Sequence, residues 1–244
     1  MEPFKRRLSL NRIRVFFILC FVLASLFACK PKLTIENVQI KIDEHIEPDQ
    51  DLTKLILPYS VEMNSQMNVK IAESHHDFIV SKPGSNLMNW MADAVFANQT
   101  KSIRLNAPTF CLLNTGGIRS SIGKGDVKLK DLFQVMPFDN SIVWVKLPMS
   151  SLHEISAYLN NSGGEPISNI TMREGKIILN MPAKRKTNFF WVITSDYLYQ
   201  GGDHMSFFEK SIELVETNTL IRDALIEEAK IQKVLENDTT TRIR

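Results

Sequence analysis

Short runs rich in β-branched and aromatic residues alternate along this chain with stretches whose apolar residues recur every three or four positions, and no segment repeats. That alternation restricts the chain to α/β architecture, because strand-period and helix-period segments in succession stack as sheets covered by helices. Residues 33–43, LTIENVQIKID, alternate with period two and read as a strand. DQDLTKLILPYSVEMNSQM (49–67) reads as a helix broken or kinked at Pro58. MNVKIAES is a strand leading into a polar loop with His75 and His76. Ser85 is a good N-cap, and Leu87, Met91 and Val95 behind it predict an amphipathic helix. A strand is expected at about 109–114, a short helix near 131–136 and a strand over SIVWVKLP (141–148). SSLHEISAYLNNSGG reads as a helix with Leu152, Ile155 and Leu159 inward and a glycine exit. KIILN and FFWVITS are further strands, a charged helix spans about 219–234, and the closing TTTRIR is expected to fray.

The first 28 residues stand apart from this pattern. Lys5, Arg6, Arg7, Arg12 and Arg14 make a basic start, and VFFILCFVLASLFA (15–28) is an uncharged run of 14 residues. A membrane-spanning helix needs about 20, so the run fits a secretory h-region; an uncleaved anchor helix is the rival reading. The run ends in LFAC, where Leu26, Ala28 and Cys29 resemble the lipobox of bacterial signal peptidase II. The implied division is a lipoprotein signal peptide over 1–28 and a mature domain over 29–244 that starts at a lipidated Cys29. Such a product is an exported lipoprotein of the periplasm or outer membrane of a Gram-negative bacterium.

Removing 1–28 turns a formal charge of +2 into 24 positive against 26 negative charges, or −2. The surface is therefore not basic, which argues against nucleic acid as a partner. Cys20 falls in the signal and Cys29 at its end, leaving Cys111 alone in the mature chain, so neither a disulfide framework nor a cysteine metal site is available. Cys111 sits in an apolar run and reads as a small core residue.

Three stretches carry the chemistry. NTGGIRSSIGKGDVKLKDLFQVMPFDNSIVWVKL holds an Asn-Thr-Gly-Gly-Ile-Arg turn and a Pro-Phe-Asp-Asn turn. SNLMNWMADAVF lies upstream, and TSDYLYQGGDHMSF lies near the end. Each alone is compatible with ordinary turns or a helix with an inward Asp93. Together, in order and identity, they resemble the nucleotide-binding C-terminal domain of the 5′-nucleotidase family. That family carries Asn-Gly-Gly-Gly-Ile-Arg, Pro-Phe-Gly-Asn, and an aromatic ahead of Gly-Gly-Asp-Gly, with a Gly-Asn-Leu-x-x-Asp helix before them. The resemblance covers roughly residues 35–235. It implies a four-layer α/β/β/α (α+β) fold with mixed sheets and a site for a nucleoside monophosphate or nucleoside.

Carried over, the resemblance makes Phe138 and Tyr197 the two rings that sandwich a base, an arrangement worth about 1–3 kcal/mol per base elsewhere. Arg119 takes the role of the arginine that reaches ribose and phosphate oxygens, for which a planar donor fork suits better than a point charge. Gly116 and Gly117 let the backbone approach with its amides turned inward, an anion-receptive arrangement. Asn114 and Asn140 match positions at the base edge, and Asp203 the carboxylate that accepts from ribose hydroxyls. Thr115 stands where the family has its first glycine. Ser81 and Gly84 stand where it has an arginine and a glutamate, with Lys82 adjacent, and His204 replaces the glycine after Gly-Gly-Asp; it reads as a surface substitution.

The catalytic half of these enzymes is a metallophosphoesterase domain that holds two metals through Asp-x-His, Gly-Asp, Gly-Asn-His-Glu and Gly-His-x-His segments. The five histidines here, His45, His75, His76, His153 and His204, fall in none of these, and neighbouring histidines in a strand point to opposite faces. No Ser-His-Asp or Cys-His arrangement is legible. No catalytic residue, metal or cofactor is therefore expected in this chain; divalent metals are expected in a partner metallophosphoesterase. Three readings stay open: the nucleotide-binding half of a split 5′-nucleotidase, a lipid-anchored nucleoside-binding protein without catalysis, and a degenerate domain kept for assembly.

Overall fold

A five-stranded sheet orders the molecule, and its inner strands come from apolar runs of the chain. In the computed structural model, residues 12–22, 46–180 and 187–244 are described. The expected strand at 33–43, the signal boundary and Cys29 lie outside them. The chain divides into two units, residues up to Gln50 and Asp51–Arg244. In the first, residues 12–22 are helical (α1). Among the described residues, no helix is long and apolar enough to cross a membrane.

All but the first residue of α2, Gln50–Met67, belongs to the second unit; the helix runs unbroken through Pro58 and buries no residue. Of the break or kink expected at Pro58, the break is absent: the ring removes one amide donor, and an exposed helix tolerates that loss among its other bonds. β1 (Lys70–Ser74) pairs antiparallel with β3 (Gly125–Lys128). Between them lie α3 (Asn86–Thr100) and β2 (Thr109–Leu112). α3 starts at Ser85, whose hydroxyl accepts from the Met88 amide at 3.4 Å, and it buries Leu87, Met91 and Val95. After β3 come α4 (Leu129–Val135), β4 (Ser141–Pro148) and α5 (Leu152–Asn161). The short strands β5 (Ile167–Ser168), β6 (Ile170–Arg173) and β7 (Lys176–Leu179) follow. β8 (Phe189–Ser195), α6 (Asp196–Tyr199), β9 (Glu213–Leu220) and α7 (Ile221–Gln232) complete the order.

The central sheet runs β5-β2-β8-β4-β9, with β2 and β8 parallel and every other pairing antiparallel. It is a mixed sheet in a mixed α/β domain. Both faces are buried in the middle, which is why β2 and β8 read as continuous apolar runs. Cys111, Leu113, Ile142 and Ile193 join a core with α3, α4 and α7. Phe110, Leu112, Val143, Val145, Phe190 and Val192 join a second core with α5 and the β6–β7 hairpin. Cys111 is fully buried, and burial drives its thiol pKa well up, so it serves as a core residue.

The C-terminus is not frayed. Met172 donates to the Arg242 carbonyl at 2.7 Å and Arg244 to the Met172 carbonyl at 2.9 Å, extending β6 by a parallel bridge to Ile243. Arg242 grips Asp93 of α3 with both guanidinium nitrogens, at 2.7 and 2.5 Å, and also Asp238 at 2.5 Å. Polar TTTRIR does not read as a strand because its partners lie some 70 to 150 positions away.

Candidate functional site

The sheet's directions bring three distant loops to one edge. β2 and β8 run parallel, with Cys111 beside Ile193, so their carboxyl ends leave the sheet together. β4 is antiparallel to β8, with Ile142 opposite Ser195, so its amino end lies at that same edge. The loop after β2 is Asn114-Thr115-Gly116-Gly117, the turn before β4 is Pro137-Phe138-Asp139-Asn140, and α6 with Gly-Gly-Asp follows β8. A crevice outside strand carboxyl ends is the usual place for a ligand in sheets of this class.

A cavity of about 350 Å³ opens there, lined by Asn114, Gly116, Gly117, Arg119, Phe138, Asn140, Tyr197 and Asp203. All eight residues singled out from the sequence thus border one hollow. Phe138 and Tyr197 are 40% and 45% exposed, so neither ring belongs to the core. The Arg119 guanidinium stands 6.0 Å from the Phe138 ring centroid and also contacts the Gly116 carbonyl at 3.4 Å.

Asp203 is the hub. Its carboxylate accepts from the Tyr197 hydroxyl at 2.9 Å and from Asn114 Nδ2 at 2.6 Å, while its carbonyl accepts from the Tyr158 hydroxyl at 3.1 Å. These bonds hold it at φ 50°, in the left-handed region that a non-glycine residue occupies only when its surroundings demand it. The bond to Asp203 raises the Tyr197 phenol pKa. Tyr158 is pushed up to about 12, first by burial and then by the Glu165 and Asp203 carboxylates. Gly202 is required by contact: a Cβ there would come 2.5 Å from the Tyr197 ring. At Gly117 a Cβ would meet Asn114 Oδ1 at 2.9 Å, so this glycine clears the side chain that holds Asp203.

The turn at 115–117 departs from the anion-receptive arrangement expected of it. Neither glycine has positive φ. The Gly117 amide donates to the Asn114 carbonyl at 3.2 Å rather than into the cavity. A short helical turn closes on itself here, because Asn114 caps it with extended backbone.

Two residues that sequence reading passed over hold these loops. Glu165, 6% exposed, accepts from the Thr115 amide and hydroxyl, and Lys82 pairs with it at 2.9 Å. Arg222, on α7, donates to the Met136 and Phe138 carbonyls and to Asp139, and its guanidinium lies 4.3 Å from the Phe133 centroid. Sequence offered no periodic signal for either, since each acts across the chain. The α3 stretch does not line the cavity: Asp93 pairs with Arg242, and Asn89 holds the Asp238 and Thr240 carbonyls. His204 is exposed at φ 62°. Among the described residues, no three His, Cys, Asp or Glu side chains gather where a metal would sit.

Comparison with known proteins places this geometry in context. Residues 70–155 match the family model described as 5′-nucleotidase, C-terminal domain. The chain is 29% identical over 148 residues to a 5′-nucleotidase of Vibrio parahaemolyticus, covering 57% of this chain and 24% of that protein. It is 24% identical over 199 residues to the trifunctional nucleotide phosphoesterase protein YfkN of Bacillus subtilis, covering 70% and 13%. It thus spans about a quarter or less of these relatives. Among solved structures, the 5′-nucleotidase precursor of Thermus thermophilus shares the fold with a TM-score of 0.62, at 21% identity, over 81% of this chain and 43% of that one. The NAD nucleotidase of Haemophilus influenzae does so with a TM-score of 0.59, at 20% identity, over 80% and 41%.

Proposed function

We propose that this chain, whose residues 70–155 match the model of the 5′-nucleotidase C-terminal domain, recognises the base and ribose of a nucleoside monophosphate for hydrolysis by a metallophosphoesterase. The hydrolytic machinery is a separate chain in this proposal, and the divalent metals belong to it. The carrying observation is the pair of exposed rings, Phe138 and Tyr197, on one cavity with Asp203 and Arg119. Flat aromatic faces suit a planar base, and both rings have accessible area to offer one. Asp203 keeps lone pairs beyond those used by Tyr197 and Asn114, so ribose hydroxyls can donate to it. Arg119 lines the same cavity, and its planar donor fork suits ribose or phosphate oxygens.

In this reading the lining residues serve to bind the nucleoside, and the attacking water is activated on the metallophosphoesterase. The proposal extends to location: an exported lipoprotein of the periplasm or outer membrane, tethered through Cys29 after cleavage of residues 1–28. A non-catalytic nucleoside-binding role is the second reading, favoured by Lys82 being tied to Glu165 rather than standing at the cavity.

Calorimetric titration of the chain with adenosine and AMP tests the proposal. Binding is expected, with Phe138→Ala weakening it by about 1–3 kcal/mol. Phosphate release from AMP is expected only when this chain, a metallophosphoesterase and a divalent metal are combined. Release by the purified chain alone, or no binding of either ligand, would defeat it.

A further inference from the structure

Five amides run from Thr115 to Arg119, and a turn receptive to an anion directs several of them to one point. Here they go elsewhere. The Thr115 amide and hydroxyl both donate to one oxygen of Glu165, each at 2.6 Å. The Gly117 amide goes to the Asn114 carbonyl at 3.2 Å, that of Ile118 to the Thr115 carbonyl at 3.0 Å, and that of Arg119 to the Val135 carbonyl at 2.9 Å. Four of the five are committed within the protein. The second oxygen of Glu165 takes Lys82 Nζ at 2.9 Å, and Lys82 also donates to the Ser162 carbonyl at 2.7 Å. The lysine nearest the missing arginine position is therefore engaged at Glu165. Along the cavity wall, Arg119 is the basic side chain and Asp203 the acidic one, so the lining carries no excess positive charge.

We propose that Glu165 is a specificity-determining residue: by holding the Thr115 amide and hydroxyl it withdraws the turn from phosphate. The pocket then takes the nucleoside part of its ligand and gains little from a 5′-phosphate. This rests on the nucleoside reading above and narrows it, leaving the phosphate to the metallophosphoesterase side. Thr115 takes part directly, since a glycine at that position has no hydroxyl for Glu165 to hold. Burial of Glu165 makes the arrangement durable, because an ion pair with Lys82 and two further donors satisfy a carboxylate that water scarcely reaches.

The test uses the full-length chain. Calorimetry compares adenosine, guanosine, uridine and cytidine, and the tightest of them with its 5′-monophosphate. The monophosphate is expected to bind less than about fivefold more tightly than its nucleoside; a preference of about fivefold or more overturns the proposal. In Glu165→Gln, where the weaker neutral acceptor loosens the turn and Lys82 loses its partner charge, that preference is expected to rise about threefold or more. An unchanged preference overturns the role of Glu165. Amide hydrogen exchange of residues 113–118 needs no ligand: the Thr115 amide is expected to be protected and to exchange about tenfold faster in Glu165→Gln. Equal exchange in the two proteins overturns the hold on the turn. A protected Thr115 amide with no nucleoside bound instead defeats the functional reading of the cavity, and the specificity built on it.

Discussion

Asp203 shows how one side chain orders a site. It ties Tyr197 from α6 to Asn114 from the loop after β2, so the two walls of the cavity share a carboxylate. The same bond raises the Tyr197 phenol pKa. A raised value means that the protonated phenol is the form the fold favours. The contribution is therefore complete below the ordinary tyrosine value of about 10 and fades as pH climbs through the elevated one. Gly202 makes the placement of Tyr197 testable. Gly202→Ala puts a methyl against the Tyr197 ring and carbonyl, so nucleoside affinity should fall by about 1–2 kcal/mol while circular dichroism is unchanged. Gly123→Ala, where an added Cβ meets nothing within 4 Å, should leave affinity alone. Residue types such as the two rings and Arg119 were legible in the sequence. The engagement of the Gly117 amide was not, since backbone partners depend on how the turn closes.

At the scale of elements, α7 positions the Pro-Phe-Asp-Asn turn ahead of β4. Ile221 donates to the Asn140 carbonyl at 3.0 Å, and Arg222, 8% exposed, reaches the Phe138 carbonyl within the turn at 3.3 Å and the Met136 carbonyl just before it at 3.4 Å. Arg222→Lys replaces a flat fork by a point charge that cannot stack on Phe133 and serve two carbonyls together. Urea unfolding should report a loss of about 1–3 kcal/mol, with nucleoside affinity reduced in the same variant. Most elements were readable: β8 matches FFWVITS residue for residue, and α3, β4 and α5 lie where periodicity places them. β9, ELVETNTL, was missed because it is an edge strand of largely polar residues, paired on one side only. Nothing local marks such a strand; β4 creates it by offering a ladder.

For the molecule as a whole, the C-terminal segment acts as a clamp from α3 to β6. Arg242 is 12% exposed between Asp93 and Asp238. Burial works against the charge on both Arg242 and Asp238, yet their mutual bond and those from Asp93 and Thr240 prevail, raising the arginine and lowering the aspartate. A lowered carboxyl contributes stability above its ordinary value of about 4 and loses it as pH falls through the lowered one. Melting temperature should therefore drop in acid more for the wild type than for Arg242→Ala. The variant itself should be less stable at neutral pH by about 1–3 kcal/mol, a figure reduced by the partial exposure of Asp93.

Sequence alone determined the class of fold, the strands that pass through its middle and the residue types able to meet a base and a sugar. Those are properties of side chains and of local period, which a chain carries wherever it goes. Tertiary structure decided that loops 80 to 90 positions apart in the chain would share a cavity, because parallel β2 and β8 and antiparallel β4 deliver them to one edge. It also decided that Glu165 and Arg222 would brace those loops. A buried charge finds its partners only after the sheet has closed around it, and no short stretch of residues encodes where that will be.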